Sequence, residues 1–481
     1  MKLQAIIDAL RRVDLLAQAP AVDTDILSVD VDSRMVHAGT LFIAIRGSVA
    51  DGHKFISQAL ANGATALLTE QPVQASVPVV VVRDGRRAAQ VIAEAWYDHP
   101  ARQLQLVGIT GTNGKTTTTA MMRHLLNRAG DAGSIGTLGA FDGAGDRVQS
   151  SAGSLTTPGP LDLQATFRAL VDRGVRHAAM ETSSHALDQG RLDGVTFAAG
   201  IFTNVTREHL DYHGTMEQYL GAKLRLADRV ATDGVLSLNA DDPAWRSLRA
   251  DRRALSWGTA ADADIAIADA IYSSAGTRFT LGGRFGTRDV SIPFLGEFNV
   301  ANAAGAATVA LGLGMTLDEV VERLATAPQV PGRMERLADT PFTVLRDYAH
   351  TPDAFERVLA MLRPLVAGKL FILFGCGGER DTGKRPIMGR IAAERADRVI
   401  LTSDNPRHED PVKIIDDIAA DMPATSYDRI LDREDAIAHV LGAARPGDTV
   451  LLAGKGHETY QVEGSTYRHF DEREIVRSLL R

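Results

Sequence analysis

Gly108-Ile109-Thr110-Gly111-Thr112-Asn113-Gly114-Lys115-Thr116-Thr117 lies between an apolar run that begins at Leu104 and a helix-patterned stretch from about Lys115 to Arg128. A strand that feeds a helix through a glycine-rich turn aims backbone N–H groups at one point, and the helix N-terminus adds positive potential there. Lys115 is spaced to reach terminal phosphates, and the Thr116 hydroxyl to hold Mg²⁺. The stretch departs from the strict phosphate-loop spacing, whose first glycine would fall at Ile109; here glycines stand at 108, 111 and 114.

Working outward, strand-like runs follow at His177 to Thr182, Ala198 to Val205 and Val235 to Leu238, with a helix at about Met216 to Val230. This β/α alternation predicts a mostly parallel sheet with helices on both faces. Upstream, strands are expected at Ile26 to Val31, Leu41 to Ile45 and Val77 to Val82, with a helix near Arg86 to Tyr97, before His99-Pro100 breaks the pattern. Pro328-Gln-Val-Pro331-Gly332 marks a second boundary. Beyond it runs another βα series, from Phe342 to Asp347 through Lys369 to Gly375 and Arg398 to Thr402 to Thr449 to Ala453. The fold class is therefore α/β in three domains, with expected boundaries 1–98, 99–330 and 331–481.

The 481 residues exceed what one hydrophobic core organises, and no apolar run reaches the length of a membrane span. Asp8 interrupts the amphipathic N-terminal stretch, unlike a signal peptide, and the single Cys376 excludes an internal disulfide and fits a reducing cytoplasm. Cys376, in Phe-Gly-Cys-Gly-Gly, reads as a small packed residue and not as a nucleophile. A net charge of −8 argues against bulk nucleic-acid binding, so an anionic ligand has to be held by local groups.

Further motifs follow the glycine turn in order. Met180-Glu181-Thr182-Ser183-Ser184-His185 ends a strand, where an acidic side chain can face a metal beside bound phosphates. Asn204-Val-Thr-Arg-Glu-His209-Leu-Asp-Tyr-His213-Gly comes just past the next strand, with Lys223 on the helix after it. Gly296-Glu-Phe298-Asn299-Val-Ala-Asn302, Arg333 in Pro-Gly-Arg-Met-Glu-Arg and Asp347 in Asp-Tyr-Ala-His-Thr-Pro continue the series. Taken together, from about residue 25 to 460, these motifs resemble the Mur ligases, a family related to the folylpolyglutamate synthetases.

The resemblance implies an ATP-dependent amide-forming enzyme with a P-loop-type central domain, a uridine-nucleotide-binding N-terminal domain and a Rossmann-like C-terminal domain. It implies ATP binding by Gly111, Thr112, Asn113, Gly114, Lys115, Thr116, Thr117, Asn299, Asn302, Arg333 and Asp347. Lys115, Glu181, His209 and Lys223 are the implied catalytic residues. Two Mg²⁺ ions would be held by Thr116, Glu181, His209 and Lys223, the last as N6-carboxylysine. Val31, Ser33, Ser48, Val49 and Ala50 resemble the uridine-nucleotide region of the member that adds the third amino acid of the cell-wall stem peptide. Thr156, Thr157, Ser183, Gln189 and Arg191 match its contacts to a UDP-muramoyl dipeptide.

The acceptor amino acid is implied by Ser403-Asp404-Asn405-Pro406-Arg407 and Gly454-Lys455-Gly456-His457-Glu458. meso-Diaminopimelate carries a distal carboxylate and ammonium, so its site needs a cation beside an anion. Arg407 with Arg380 suits the carboxylate and Glu458 the ammonium, alongside Asp404, Asn405, Pro406 and Gly454. L-Lysine as acceptor, a folate ligase and a non-catalytic nucleotide switch are the competing readings. The expected partners are small molecules, with no nucleic acid and no membrane insertion, and the expected state is a monomer. Because acceptor residues on the third domain must meet a phosphate bound on the second, domain closure is expected.

Overall fold

The computed structural model describes residues 1–47, 50–148, 155–251, 253–260, 262–339 and 341–480. Two compact units divide it, one formed by Met1–Ala266, Gly282–Gly286 and Asn302–Val320, the other by Ile267–Leu281, Thr287–Ala301 and Val321–Arg481. Among the described residues, no helix is long and apolar enough to cross a membrane.

The first unit contains two sheets. Ser28–Asp30, Thr40–Ile43, Ala66–Thr69 and Val79–Val82 run parallel, and Leu16–Gln18 closes the edge antiparallel to Val79–Val82. Alternate side chains of these strands serve two cores, because successive residues of a strand point to opposite faces. Leu41, Ile43 and Leu68 pack with Leu3, Ile6, Ile7 and Leu10 of the helix Leu3–Arg12 and with Ala88, Ala89 and Ile92 of the helix Gly85–Trp96. Phe42 and Leu67 face the other way, onto Ala59 and Ala64.

The glycine-rich turn leaves the second sheet at its middle strand. Gln105–Thr110 pairs in parallel with His177–Glu181 on one side and Phe197–Phe202 on the other. Parallel pairing continues to Ala132–Gly136 beyond the first and to Val230–Asn239 and Ala254–Gly258 beyond the second. The ends of three adjacent strands, at Thr110, Glu181 and Phe202, thus open on one edge, where ligands bind in open α/β sheets. The helix Gly85–Trp96 also packs on Pro160–Asp172, which brings the first sheet's helix beside the second sheet's.

In the second unit, Thr343–Asp347, Thr449–Ala453, Leu370–Phe374, Arg398–Leu401 and Tyr427–Arg429 are parallel, and Glu335–Ala338 is antiparallel at the edge. Leu345, Ile372, Leu401 and Leu451 fill one core, and Val344, Leu373, Ile400 and Val450 the other. Strand positions therefore agree with the sequence reading to within a few residues. The short strands Leu16–Gln18 and Ala66–Thr69 and the antiparallel pairs Gly276–Gly283 with Arg288–Ile292 and Tyr460–Glu463 with Thr466–His469 are additional.

Candidate functional site

The turn after Gln105–Thr110 is fixed by contacts that admit only glycine. At Gly111, φ is +147°, and a Cβ would stand 1.9 Å from Thr203 Oγ1; at Gly114, φ is +86°, and a Cβ would stand 2.3 Å from Asn302 Oδ1. Asn204 O accepts from Thr112 N at 2.7 Å and Asn204 Oδ1 from Asn113 N at 3.0 Å. The Thr112 hydroxyl lies 3.1 Å from Tyr219 OH and accepts from Thr206 N at 2.9 Å. The turn is thus braced against the neighbouring strand end before any ligand arrives.

Two lysines converge on this turn. Lys115 Nζ donates to Gly111 O at 2.9 Å and Thr112 O at 2.8 Å, and Lys223 Nζ donates to the same Gly111 O at 2.7 Å. Lys223 is buried, with its ammonium 4.3 Å from the Tyr219 ring centroid. Burial, aided by the Lys115 charge, holds its amine well below the usual lysine range. His209, in a left-handed conformation with φ of 56°, caps the helix Leu210–His213; burial lowers its basicity, and Lys115 and Lys223 push the same way. It meets His185 edge-on with ring centroids 4.8 Å apart, and His185 is lowered to about 4, mainly by burial. His213 Nε2 contacts Ser184 Oγ at 3.0 Å.

Glu181 is buried at the end of its strand, where its carboxylate accepts from Thr137 N at 2.8 Å and Thr137 Oγ1 at 3.1 Å. Thr116 and Thr117 are buried in the first turn of the helix Lys115–Leu126. Asn302 sits beneath the turn and accepts from Thr118 Oγ1 at 3.2 Å. Among the described residues, no three His, Cys, Asp or Glu side chains form a ready metal cluster.

Thr156, Thr157, Ser183, Gln189 and Arg191 form one connected group. Thr156 Oγ1 lies 3.3 Å from Thr137 Oγ1; Thr157 Oγ1 donates to Glu181 O at 2.9 Å and accepts from Ser183 N at 3.0 Å. Arg191 donates to Thr157 O at 2.9 Å and, through Nε and Nη2, to Gln189 Oε1 at 3.0 and 2.6 Å. A cleft beside this group is lined by Gly47, Arg86, Gln90, Pro160, Gln189 and Arg191. Ser33 is buried and donates to Gln58 Oε1 at 2.9 Å, while Val31 and Ala50 are exposed. Ser48 and Val49 lie outside the described residues.

The second unit carries the remaining residues. Asn299 donates to Leu295 O at 2.8 Å from a buried position. Asp347, buried and shifted upward by that burial, accepts from Met334 N at 2.7 Å and Ala349 N at 2.8 Å. Arg333 stacks over Tyr348 at 4.7 Å. The motif around Asp404 is organised by a side chain to which the sequence reading gave no role: Lys455, fully buried, reaches Asn405 Oδ1 at 3.1 Å, Asp404 Oδ1 at 3.3 Å and Glu458 Oε2 at 3.4 Å. Asn405 Nδ2 also donates to Glu458 Oε2 at 2.8 Å. Lys455 stands between two glycines directly after the strand Thr449–Ala453, but nothing in that local pattern reports its pairing with residues some fifty positions away. Arg407 is left-handed, with φ of 54°; its N–H donates to Val462 O at 3.1 Å, its carbonyl accepts from Gly464 N at 2.7 Å, and its Nη1 donates to Gly378 O at 2.7 Å. Arg380 follows on the same glycine loop, its Cγ 3.8 Å from where a Cβ on Gly377 would stand. Gly454, with φ of 103°, donates to Asp347 O. Cys376 is buried and its thiol pushed up to about 12, as an inert packed residue should be.

Three family descriptions match this chain in order: the Mur ligase family catalytic domain over residues 25–97, the Mur ligase middle domain over 109–310 and the Mur ligase glutamate ligase domain over 332–456. The chain belongs to the Mur ligase family. This Mur ligase is 41% identical over 469 residues to a UDP-N-acetylmuramoyl-L-alanyl-D-glutamate--2,6-diaminopimelate ligase of Geobacillus kaustophilus, covering 95% of each chain. It is 42% identical over 496 residues to one of Synechococcus elongatus, covering 100% of this chain and 99% of the relative. A solved structure of the same name aligns with a TM-score of 0.67 at 35% identity, over 95% of this chain and 94% of that one. A MurF ligase from Thermotoga maritima in complex with ADP shares the fold, with a TM-score of 0.64 at 21% identity over 94% and 96% of the two chains.

Replacing Lys115 with Ala removes a charge from a braced turn, not from a core. The expected outcome is an unchanged circular dichroism spectrum with phosphate release from ATP lowered roughly 10²-fold or more; retention of more than about a tenth of the rate contradicts an electrostatic role of that size.

Proposed function

We infer that this Mur ligase is an ATP-dependent enzyme that joins meso-2,6-diaminopimelate to the D-glutamate γ-carboxylate of UDP-N-acetylmuramoyl-L-alanyl-D-glutamate, a step in building peptidoglycan precursors. The whole-chain likeness to ligases of that name, at 41–42% identity, carries this reading. Residues 1–98 form the UDP-substrate domain, 99–330 the ATP domain and 331–481 the amino-acid domain; the separate sheets and cores support this division.

Joining a carboxylate to an amine is uphill in water, so the acid is first activated as an acyl phosphate. That step brings two anions together, and neutralising their charge is the main task of the site. Lys115, with its ammonium on the turn, takes the β- and γ-phosphates, and the N–H groups of residues 111–117 cradle them. Asn299, Asn302, Arg333 and Asp347 serve the nucleotide, the buried ones by shaping loops around it. Thr116, Glu181, His209 and a carboxylated Lys223 would supply hard oxygen and imidazole donors for two Mg²⁺ ions. Mg²⁺ is commonly held by one or two carboxylates plus substrate phosphates, and Glu181 with a carboxylated Lys223 would offer such carboxylates. When bound, it supplies further neutralisation of phosphate charge.

Lys223 is suited to carboxylation because its nitrogen is buried beside another cation. A neutral amine attacks carbon dioxide, forming an N–C bond and releasing one proton, and the carbamate anion then faces Lys115 instead of repelling it. Lys223→Ala should be nearly inactive and partly rescued by short carboxylates that occupy the vacated anionic position. An unrescued variant, together with an unmodified Lys223 in a substrate-bound, Mg²⁺-loaded crystal structure, removes this role.

Thr156, Thr157, Ser183, Gln189 and Arg191 receive the muramoyl dipeptide, with Val31, Ser33, Ser48, Val49 and Ala50 at the uridine end. In the acceptor domain Arg407 and Arg380 pair with the distal carboxylate of diaminopimelate, and Glu458 with its distal ammonium, within a frame made by Asp404, Asn405, Pro406 and Gly454. L-Lysine lacks that carboxylate and leaves Arg407 unpaired. A site built around a polar group rejects the analogue lacking it by roughly 10⁴-fold. In kcat/KM measurements, diaminopimelate should far exceed L-lysine. Arg407→Ala should raise KM for diaminopimelate by an amount equivalent to about 2–5 kcal/mol while KM for ATP changes little. Equal wild-type use of both amino acids, or unchanged diaminopimelate kinetics in Arg407→Ala, contradicts the assigned acceptor.

A further inference from the structure

Arg86 lies on the first turn of the helix Gly85–Trp96, outside the motifs quoted from the sequence. Its Nε and Nη2 donate to Arg46 O at 3.1 and 2.9 Å, which holds the guanidinium on one wall of the cleft. Arg191 lines the same cleft, held by Thr157 O and the neutral amide oxygen of Gln189. Among the described residues neither guanidinium has a carboxylate partner. Glu70, near Arg86 in the fold, is already engaged, its Oε1 accepting from Gly85 N at 2.9 Å and its Oε2 lying 3.3 Å from Arg46 Nε.

Two guanidiniums facing one cleft repel each other. Burial lowers the basicity of Arg191, and the charge of Arg86 pushes it the same way. An anion between them relieves that repulsion and finds two planar donor forks, a geometry suited to phosphate oxygens. The anchors of the two side chains identify which anion. Arg86 is tied to the residue immediately before Gly47, the start of the loop assigned to the uridine nucleotide. Arg191 is tied to Thr157 and Gln189, assigned to the muramoyl dipeptide. In a UDP-sugar, the group between the nucleoside and the sugar is the diphosphate.

We propose that Arg86 binds the diphosphate of the UDP-linked substrate, acting with Arg191 in the same cleft as a specificity residue for the nucleotide-linked form. The assignment rests on the reading of a UDP-muramoyl dipeptide as substrate. Among the described residues Arg86 makes no hydrogen bond to the ATP turn, its partner being Arg46 O, so its effect is expected on the UDP-linked substrate and not on ATP.

The test compares wild type with Arg86→Gln and Arg86→Lys in steady-state kinetics, with UDP and uridine as competitive inhibitors against the UDP-muramoyl dipeptide. Loss of one charge-assisted contact should raise KM for that substrate about 10-fold or more, with kcat and KM for ATP changing far less. The UDP inhibition constant should rise in parallel, the uridine constant should not, and Arg86→Lys should recover part of the loss. The thermal midpoint of ligand-free Arg86→Gln should match wild type while its UDP-induced rise shrinks, which a purely structural role of Arg86 does not give. Unchanged KM and UDP inhibition overturn the proposal, as does a raised KM with UDP inhibition intact, which assigns Arg86 to a peptide carboxylate. Wild-type enzyme that fails to turn over the UDP-muramoyl dipeptide overturns the underlying substrate reading instead, whatever Arg86 does.

Discussion

One backbone atom, the carbonyl oxygen of Gly111, accepts from both Lys115 and Lys223, and the arrangement around it follows from that convergence. Two amines at one carbonyl bring two cationic groups together, and burial with the Lys115 charge lowers the basicity of Lys223, so a negative charge placed there would be favoured. The geometry is available because Gly111 and Gly114 have no Cβ; the space each would need is held by Thr203 and Asn302. Asn204, Thr206 and Tyr219 then brace the loop from the adjacent strand and helix. The donors are consequently positioned before binding, and preorganised donors cost no reorientation when charge develops.

The second unit solves the opposite problem with the same economy. Its buried cation, Lys455, is surrounded by Asp404, Asn405 and Glu458, so the acceptor motif is internally matched. Burial raises the Glu458 carboxyl, while Lys455 and the Asn405 hydrogen bond oppose that rise. Arg407 is directed by backbone: its left-handed turn is pinned to the hairpin Tyr460–Glu463 and Thr466–His469 by bonds at both its N–H and its carbonyl. A substitution in that hairpin would move the guanidinium without touching it.

Much of this was legible in the sequence because parallel strands, buried on both faces, leave unbroken apolar runs, as at Leu104 to Thr110 and Lys369 to Gly375. The edge strand Leu16–Gln18 has three half-buried or exposed residues and leaves no such trace. The hairpin of Gly276–Gly283 and Arg288–Ile292 alternates buried and exposed positions over short spans, a weaker signal than the βα series around it. At the site, residues bound to a turn or a strand end kept a fixed spacing, so Lys115, Glu181 and His209 could be singled out. Tyr219, Lys455 and Arg86 act through partners distant in sequence, respectively Thr112, Asp404 and Arg46, and no local pattern reports such pairings.

In the proposed reaction, the charge gathered at the glycine turn serves an attack of the substrate carboxylate on the γ-phosphate of ATP. The direct measurement labels both oxygens of the D-glutamate γ-carboxylate of the UDP-muramoyl dipeptide with ¹⁸O and follows the inorganic phosphate by mass spectrometry during turnover with ATP and diaminopimelate. Acyl phosphate formation transfers one carboxylate oxygen to phosphorus, so each phosphate released should carry a single ¹⁸O. Unlabelled phosphate formed at the rate of amide formation would contradict the account, because the oxygen would then have come from water and the carboxylate would never have been phosphorylated.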